Sequence, residues 1–102
     1  MNVITRKRLR EFAGRHADAA TPLEDWYRTA SKAKWRSIQD VRRIYPHADA
    51  VKVASGNDVT VFNVGGNKYR LVTAIHYDAQ RVYVLKLMTH AEYGKGQWKE
   101  TL

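Results

Sequence analysis

The chain has 102 residues, 44% hydrophobic and 11% aromatic, which supports one globular domain over residues 1–102 and excludes a disordered polymer. It has no cysteine, so disulfides, thiolate metal sites and a cysteine nucleophile are excluded and a reducing compartment is expected. Eighteen Lys and Arg against ten Asp and Glu leave a formal charge of +8. This excess is spread over both halves of the chain, so the expected partner is a polyanion, nucleic acid ahead of an acidic protein.

At the start, MNVITRKRLREF sets three apolar residues before a basic cluster. That is the reverse of a secretory signal, and no apolar run approaches the roughly 20 residues of a membrane span. A cytoplasmic protein with no membrane partner is expected. Val3 and Ile4 suit a short edge strand. Thr5 is a candidate N-cap for a helix with Leu9, Phe12, Ala13 and His16 on one face and Arg6, Lys7, Arg10 and Arg15 on the other. Thr21 and Pro22 then predict a second helix start, and Leu23, Trp26, Tyr27, Ala30 and Ala33 or Lys34 keep helical spacing to about Lys34. Ser37 can cap a third short helix that turns Ile38, Val41, Ile44 and Tyr45 inward and stops at Pro46.

After Ala50 the period changes to two. VKVAS, VTVFNV, KYRLVTAIHY and RVYVLKLMTH are separated by Gly56-Asn57-Asp58, Gly65-Gly66-Asn67 and Asp78-Ala79-Gln80. Connections this short demand antiparallel neighbours. The expected fold is therefore α+β, with N-terminal helices packed on one face of a mainly antiparallel meander. On the third of these segments Tyr69, Leu71, Thr73, Ile75 and Tyr77 should face the helices. Lys68, Arg70, Val72, Ala74 and His76 should share the other face, read as open and partly basic. The tail from His90 contains two glycines and reads as a loop with at most a short helix.

Much chemistry is unsupported. His16, His47, His76 and His90 lie in separate elements without ligand spacing, so no metal or other cofactor is expected. Gly65-Gly66 lacks a phosphate-loop context, and no serine sits in an elbow motif. Two stretches remain: FNVGGNKYRL at the hairpin and LMTHAEYGKGQWK after the last strand.

Read together, FNVGGNKYRL and MTHAEY resemble the HigB family of bacterial toxins within the RelE-like superfamily. The likeness extends to the VIT opening, the basic first helix and the central tryptophan helix, and so covers nearly the whole chain. It implies a RelE-like α+β fold and a metal-free mRNA interferase that cuts translated messages on the ribosome. Its implied partner is a HigA-type helix-turn-helix antitoxin, held in a toxin–antitoxin hetero-oligomer. In such enzymes the ribose 2′-hydroxyl attacks the adjacent phosphate, which calls for a base, an acid and cations.

Carried over by position, Arg70 is the candidate for gripping the scissile phosphate with its planar fork, and Lys68 adds field beside it. His90 and Tyr93 are the acid–base or orienting pair, with surrounding cations favouring a neutral, proton-accepting His90. Asn63, Lys68, Lys95 and Lys99 are candidate RNA contacts, whereas Asn67 is expected mainly to serve the turn. The family commonly has an aspartate after the EY. This chain has Gly94, which leaves Lys95 as the nearest charged group. Trp98 is the one aromatic considered for base stacking, with packing the simpler expectation. The rival functions are a non-catalytic RNA- or ribosome-binding module on the same fold and an interaction subunit whose charge serves only its partner.

Overall fold

The computed structural model describes all 102 residues. Strand β1 (Asn2–Ile4) leads into α1 (Arg6–Arg15), a 3₁₀ turn (Ala17–Ala19), α2 (Ala20–Lys32) and α3 (Ile38–Ile44). Strands β2 (Asp49–Lys52), β3 (Asp58–Val64), β4 (Tyr69–His76) and β5 (Arg81–Thr89) follow, and the chain closes with α4 (His90–Lys95) and a 3₁₀ turn (Gln97–Glu100). The strands form one sheet in the order β1-β5-β4-β3-β2. β2 to β5 make the expected antiparallel meander, and β1 adds to the edge of β5 in parallel.

The period-two pattern sorts β4 as read from the sequence. Leu71 and Thr73 are sealed beneath the helices, and Phe62 of β3 lies beside them with no exposed surface. The Phe62 ring meets Trp26 of α2 edge-on at 5.4 Å, stacks near Trp35 at 6.1 Å and meets Tyr45 edge-on at 5.2 Å. A ring touched on three sides by other rings couples α2, the α2–α3 connection and the end of α3 to the sheet. Leu9 and Phe12 bring α1 into the same core.

Several local expectations are corrected. Thr5 has left-handed backbone (φ 72°) and makes no side-chain cap. α2 starts at Ala20, out of the 3₁₀ turn, so Thr21 is not its cap and Pro22 is its third residue. It stops at Lys32, because Ala33 is extended (φ −72°, ψ 153°). Ile44, expected inward, is 51% exposed, while Val41 on the same short helix is fully buried. Seven residues make less than two turns' worth of inward face.

The second sheet face is also less open than expected. Trp98, 5% exposed, closes a smaller cluster with Val53, Val59, Val61, Val72 and Met88. The tail after β5 is therefore two helical pieces folded back over the sheet, with Ala54 N–H donating to the Lys99 carbonyl at 3.0 Å.

Candidate active site

The hairpin and the tail meet on this second face. Gly65 and Gly66 turn the chain with φ of 65° and 67°, and the following residues deliver Arg70 one step into β4. At Gly65 space matters as well as conformation, since a Cβ there would sit 3.3 Å from the Tyr69 ring. The hairpin is anchored from the helical side. The Tyr69 hydroxyl donates to Asp18 Oδ1 at 2.5 Å, and Lys68 Nζ donates to Asp18 Oδ2 at 3.0 Å. These two donors hold the Asp18 carboxyl below its ordinary range, while the bond to Asp18, with burial, pushes the Tyr69 phenol up. Lys68 was expected beside Arg70. Its ammonium instead pairs across the 3₁₀ turn that precedes α2.

The tail is fixed by a capping box. Glu92 N–H donates to Thr89 Oγ1 at 3.2 Å, and Thr89 N–H donates to Glu92 Oε1 at 3.0 Å. This bond from the Thr89 backbone is the main cause of the lowered Glu92 carboxyl. The box starts α4 at His90, whose N–H donates to the Lys68 carbonyl at 2.8 Å. The Thr and Glu of the TH-x-EY stretch therefore build the helix start, and its His and Tyr face the hairpin. The T-x-x-E signature in the sequence marks a helix start, and the tail, expected as a loop with at most a short helix, forms the six-residue α4 there.

Arg70 lies at the meeting point and is 7% exposed. Its Nη2 donates to Asn67 Oδ1 at 2.6 Å and approaches His90 Nδ1 at 2.9 Å, while Nη1 donates to the carbonyls of Asn67 at 3.2 Å and Tyr69 at 3.1 Å. Its Cζ lies 5.6 Å from the Tyr93 ring centre. Tyr93 stacks on Trp98 at 5.2 Å, and Trp98 Nε1 donates to the Tyr93 carbonyl at 3.1 Å, so the buried tryptophan packs in place of stacking on a base. Burial pushes the Tyr93 phenol up and Asp49 adds to this, against a smaller opposing effect of Arg70. The phenol is thus protonated at neutral pH.

Three predicted residues, Arg70, His90 and Tyr93, are brought together. Asn63 pairs directly across from Arg70 on β3 and is exposed. Lys99 lies at the outer end of the group, its Nζ 5.8 Å from the Trp98 ring. Lys95 does not join them. On a helix, His90 and Tyr93 share one side and Glu92 and Lys95 the other, and Lys95 lines a groove of about 630 Å³ with Arg8, Arg15 and Lys86. That groove contains none of the three clustered residues. Asn67, expected mainly to serve the bend, also holds the guanidinium through its side chain and its carbonyl. Turn-forming and arginine-holding asparagines look alike in a sequence.

The geometry can be set beside known proteins. A family profile described as HigB_toxin, the RelE-like toxic component of a toxin-antitoxin system, matches residues 19–96. The chain belongs to the HigB family. Its relatives include the mRNA interferase toxin HigB of Escherichia coli strain K12, 31% identical over 93 residues, 91% of this chain and 88% of that protein. The mRNA interferase HigB of Escherichia coli O6:H1 is 28% identical over 95 residues, 93% of this chain and 90% of its own length. The α+β fold agrees with this membership. As the toxic component of a toxin–antitoxin system, a HigB-family chain implies an antitoxin partner. The matched span contains Arg70, His90 and Tyr93 and stops short of Trp98, which supports Tyr93 in this chain. No helix is long and apolar enough to cross a membrane.

Proposed function

We propose that this chain is a ribosome-dependent mRNA endoribonuclease that stops translation by cutting messages, and that a HigA-type helix-turn-helix antitoxin silences it in a cytoplasmic hetero-oligomer. The observation that carries the reading is the contact between Arg70 and His90, with Tyr93 against the same guanidinium. Residues 20 positions apart in sequence converge on a polar, cation-centred site, in a chain whose relatives are named mRNA interferases.

The reaction is an in-line transfer within the RNA. The 2′-oxygen forms a bond to phosphorus, its proton passing to water, and the bond from phosphorus to the 5′-oxygen breaks. Tyr93, protonated at neutral pH, gives its hydroxyl proton to the departing oxygen and is reprotonated by water. The products are a cyclic phosphate and a 5′-hydroxyl. Charge on the phosphorane is met by the field of Arg70 in a site partly shielded from solvent, so no metal is needed in this scheme. Asn63 and Lys99 border the cluster and contact the strand on either side. Lys68 and Lys95, set outside it, engage flanking phosphates.

The test is induced expression followed by mapping of new RNA ends. Cuts within translated messages bearing 5′-hydroxyls are expected, and Tyr93→Phe should lower them at least about 100-fold. New ends carrying 5′-phosphates would point to metal-activated water. Ribosome binding without new ends would make the chain a non-catalytic module.

A further inference from the structure

Arginine carries five N–H donors and no acceptor. In Arg70 four hydrogen bonds engage both Nη groups, to Asn67 O, Tyr69 O, Asn67 Oδ1 and His90 Nδ1. Only Nε–H is left, on a residue 7% exposed. A two-bond grip on phosphate needs two free donors on one side of the fork, and Arg70 has one. The role expected from the sequence, a direct phosphate clamp, does not fit this arrangement.

The consequence falls on His90. A guanidinium does not deprotonate in proteins, so in the 2.9 Å contact Nδ1 is the acceptor. An imidazolium would set N–H against N–H there. His90 is therefore neutral with its hydrogen on Nε2, and Nε2 makes no hydrogen bond within the protein. The residue is exposed at the start of α4. Its backbone is tied to Lys68 and its first turn is locked by the capping box.

We infer that His90 acts as a neutral hydrogen-bond donor, through Nε2–H, to a non-bridging phosphoryl oxygen of the RNA, and that Arg70 is the positioning residue that holds it in that tautomer. With Nδ1 occupied, the ring takes up no proton from the 2′-hydroxyl. Being neutral, it is also too weak an acid to be the main proton source, a part Tyr93 fills. The full charge of Arg70 polarises the ring across the short contact and strengthens Nε2–H as a donor. Asn67 completes the device, since its two oxygens hold the guanidinium in register with the ring. A neutral histidine as electrophile is established chemistry in enzymes that polarise an oxygen without transferring a proton. The inference rests on the nuclease reading for its phosphoryl target, but the tautomer can be measured without it.

Two measurements decide it. The first is ¹⁵N NMR of the full-length protein labelled at histidine, with the His90→Gln spectrum identifying the ring signals. At pH 7.5 the hydrogen is expected wholly on Nε2, and Arg70→Met should convert the ring to a mixture of tautomers. An imidazolium, an Nδ1–H ring or no change in Arg70→Met overturns the proposal. The second is single-turnover cleavage of a message on ribosomes. His90→Gln keeps a neutral acceptor and a neutral donor and should stay within about 10-fold of wild type, whereas His90→Ala should lose about 100- to 1,000-fold. Equal losses in the two variants overturn the donor role. Absence of cleavage by wild type overturns the nuclease reading and the phosphoryl target together, and the NMR result still decides the Arg70–His90 arrangement.

Discussion

The two faces of β4 use neighbouring residues for different ends. Leu71 faces the helices and, with Phe62, enters an apolar core whose contacts are numerous and individually replaceable. Arg70, one residue earlier, points the other way into four directional hydrogen bonds, each to an identified oxygen or nitrogen. One face supplies stability through area and packing. The other holds a few polar atoms at fixed positions over a smaller apolar cluster that Trp98 closes. Substitutions on the two faces should therefore separate stability from activity.

The largest effect on stability is expected at Phe62. Removing a fully buried ring that meets three other rings leaves a cavity the sheet cannot close, and Phe62→Ala should cost about 3–5 kcal/mol in urea unfolding. Purified variant that remains folded should cleave with a largely unchanged single-turnover rate. A rate loss as large as that of Tyr93→Phe would erase the distinction between the faces. Tyr93→Phe is the counterpart. It keeps the stack on Trp98 and should leave the unfolding midpoint almost unmoved while removing the proton donor.

Thr89 joins the two kinds of effect. Thr89→Ala deletes one half of the capping box and should cost about 1 kcal/mol of stability. Because His90 is the next residue, the cleavage rate should fall by more than the population of unfolded protein explains. Thr89→Ser, which keeps the hydroxyl, should restore both. If Thr89→Ala loses stability alone, the cap does not position His90.

The sequence was most informative where the chemistry is periodic. Alternation along β4 correctly set Leu71 against the helices and Arg70 away from them, because a strand has only two faces and the helices need the apolar one. It could not show that Lys68, in the turn before the strand, swings to Asp18, since turn residues escape the alternation. The nearness of Arg70 to His90 was legible only through family resemblance. It depends on α4 folding back across the sheet, and Trp98, the residue packed beneath that segment, stands isolated between polar neighbours and glycines. The parallel placement of β1 was likewise hidden, because a three-residue strand shows no partner preference and its position is set by the helices that follow. The capping box was readable. Its two members, Thr89 and Glu92, stand at the N-cap and third positions of α4.

The smallest expected effect concerns acid, and it tests the anchors beneath each half of the site. Asp18, bonded to Tyr69 and Lys68, and Glu92, bonded to the Thr89 backbone, both titrate below their ordinary carboxylate range in the folded protein. A carboxyl lowered by folding contributes stability that is fully present above its unfolded value and is lost as pH falls through the folded one. Urea midpoints should therefore hold steady near neutrality and decline below about pH 4, the ordinary carboxylate range. Asp18→Asn and Glu92→Gln should each flatten part of that decline, and the double variant more than either. Asp18 serves the hairpin that carries Arg70, and Glu92 serves the helix that carries His90. Both carboxylates are solvent-exposed, where screening keeps such contributions small. An acid limb left unchanged in the double variant would mean that neither anchor is formed in solution, and the meeting of hairpin and tail would then rest on the bonds of His90 to Lys68 and Arg70 and on the packing of Trp98.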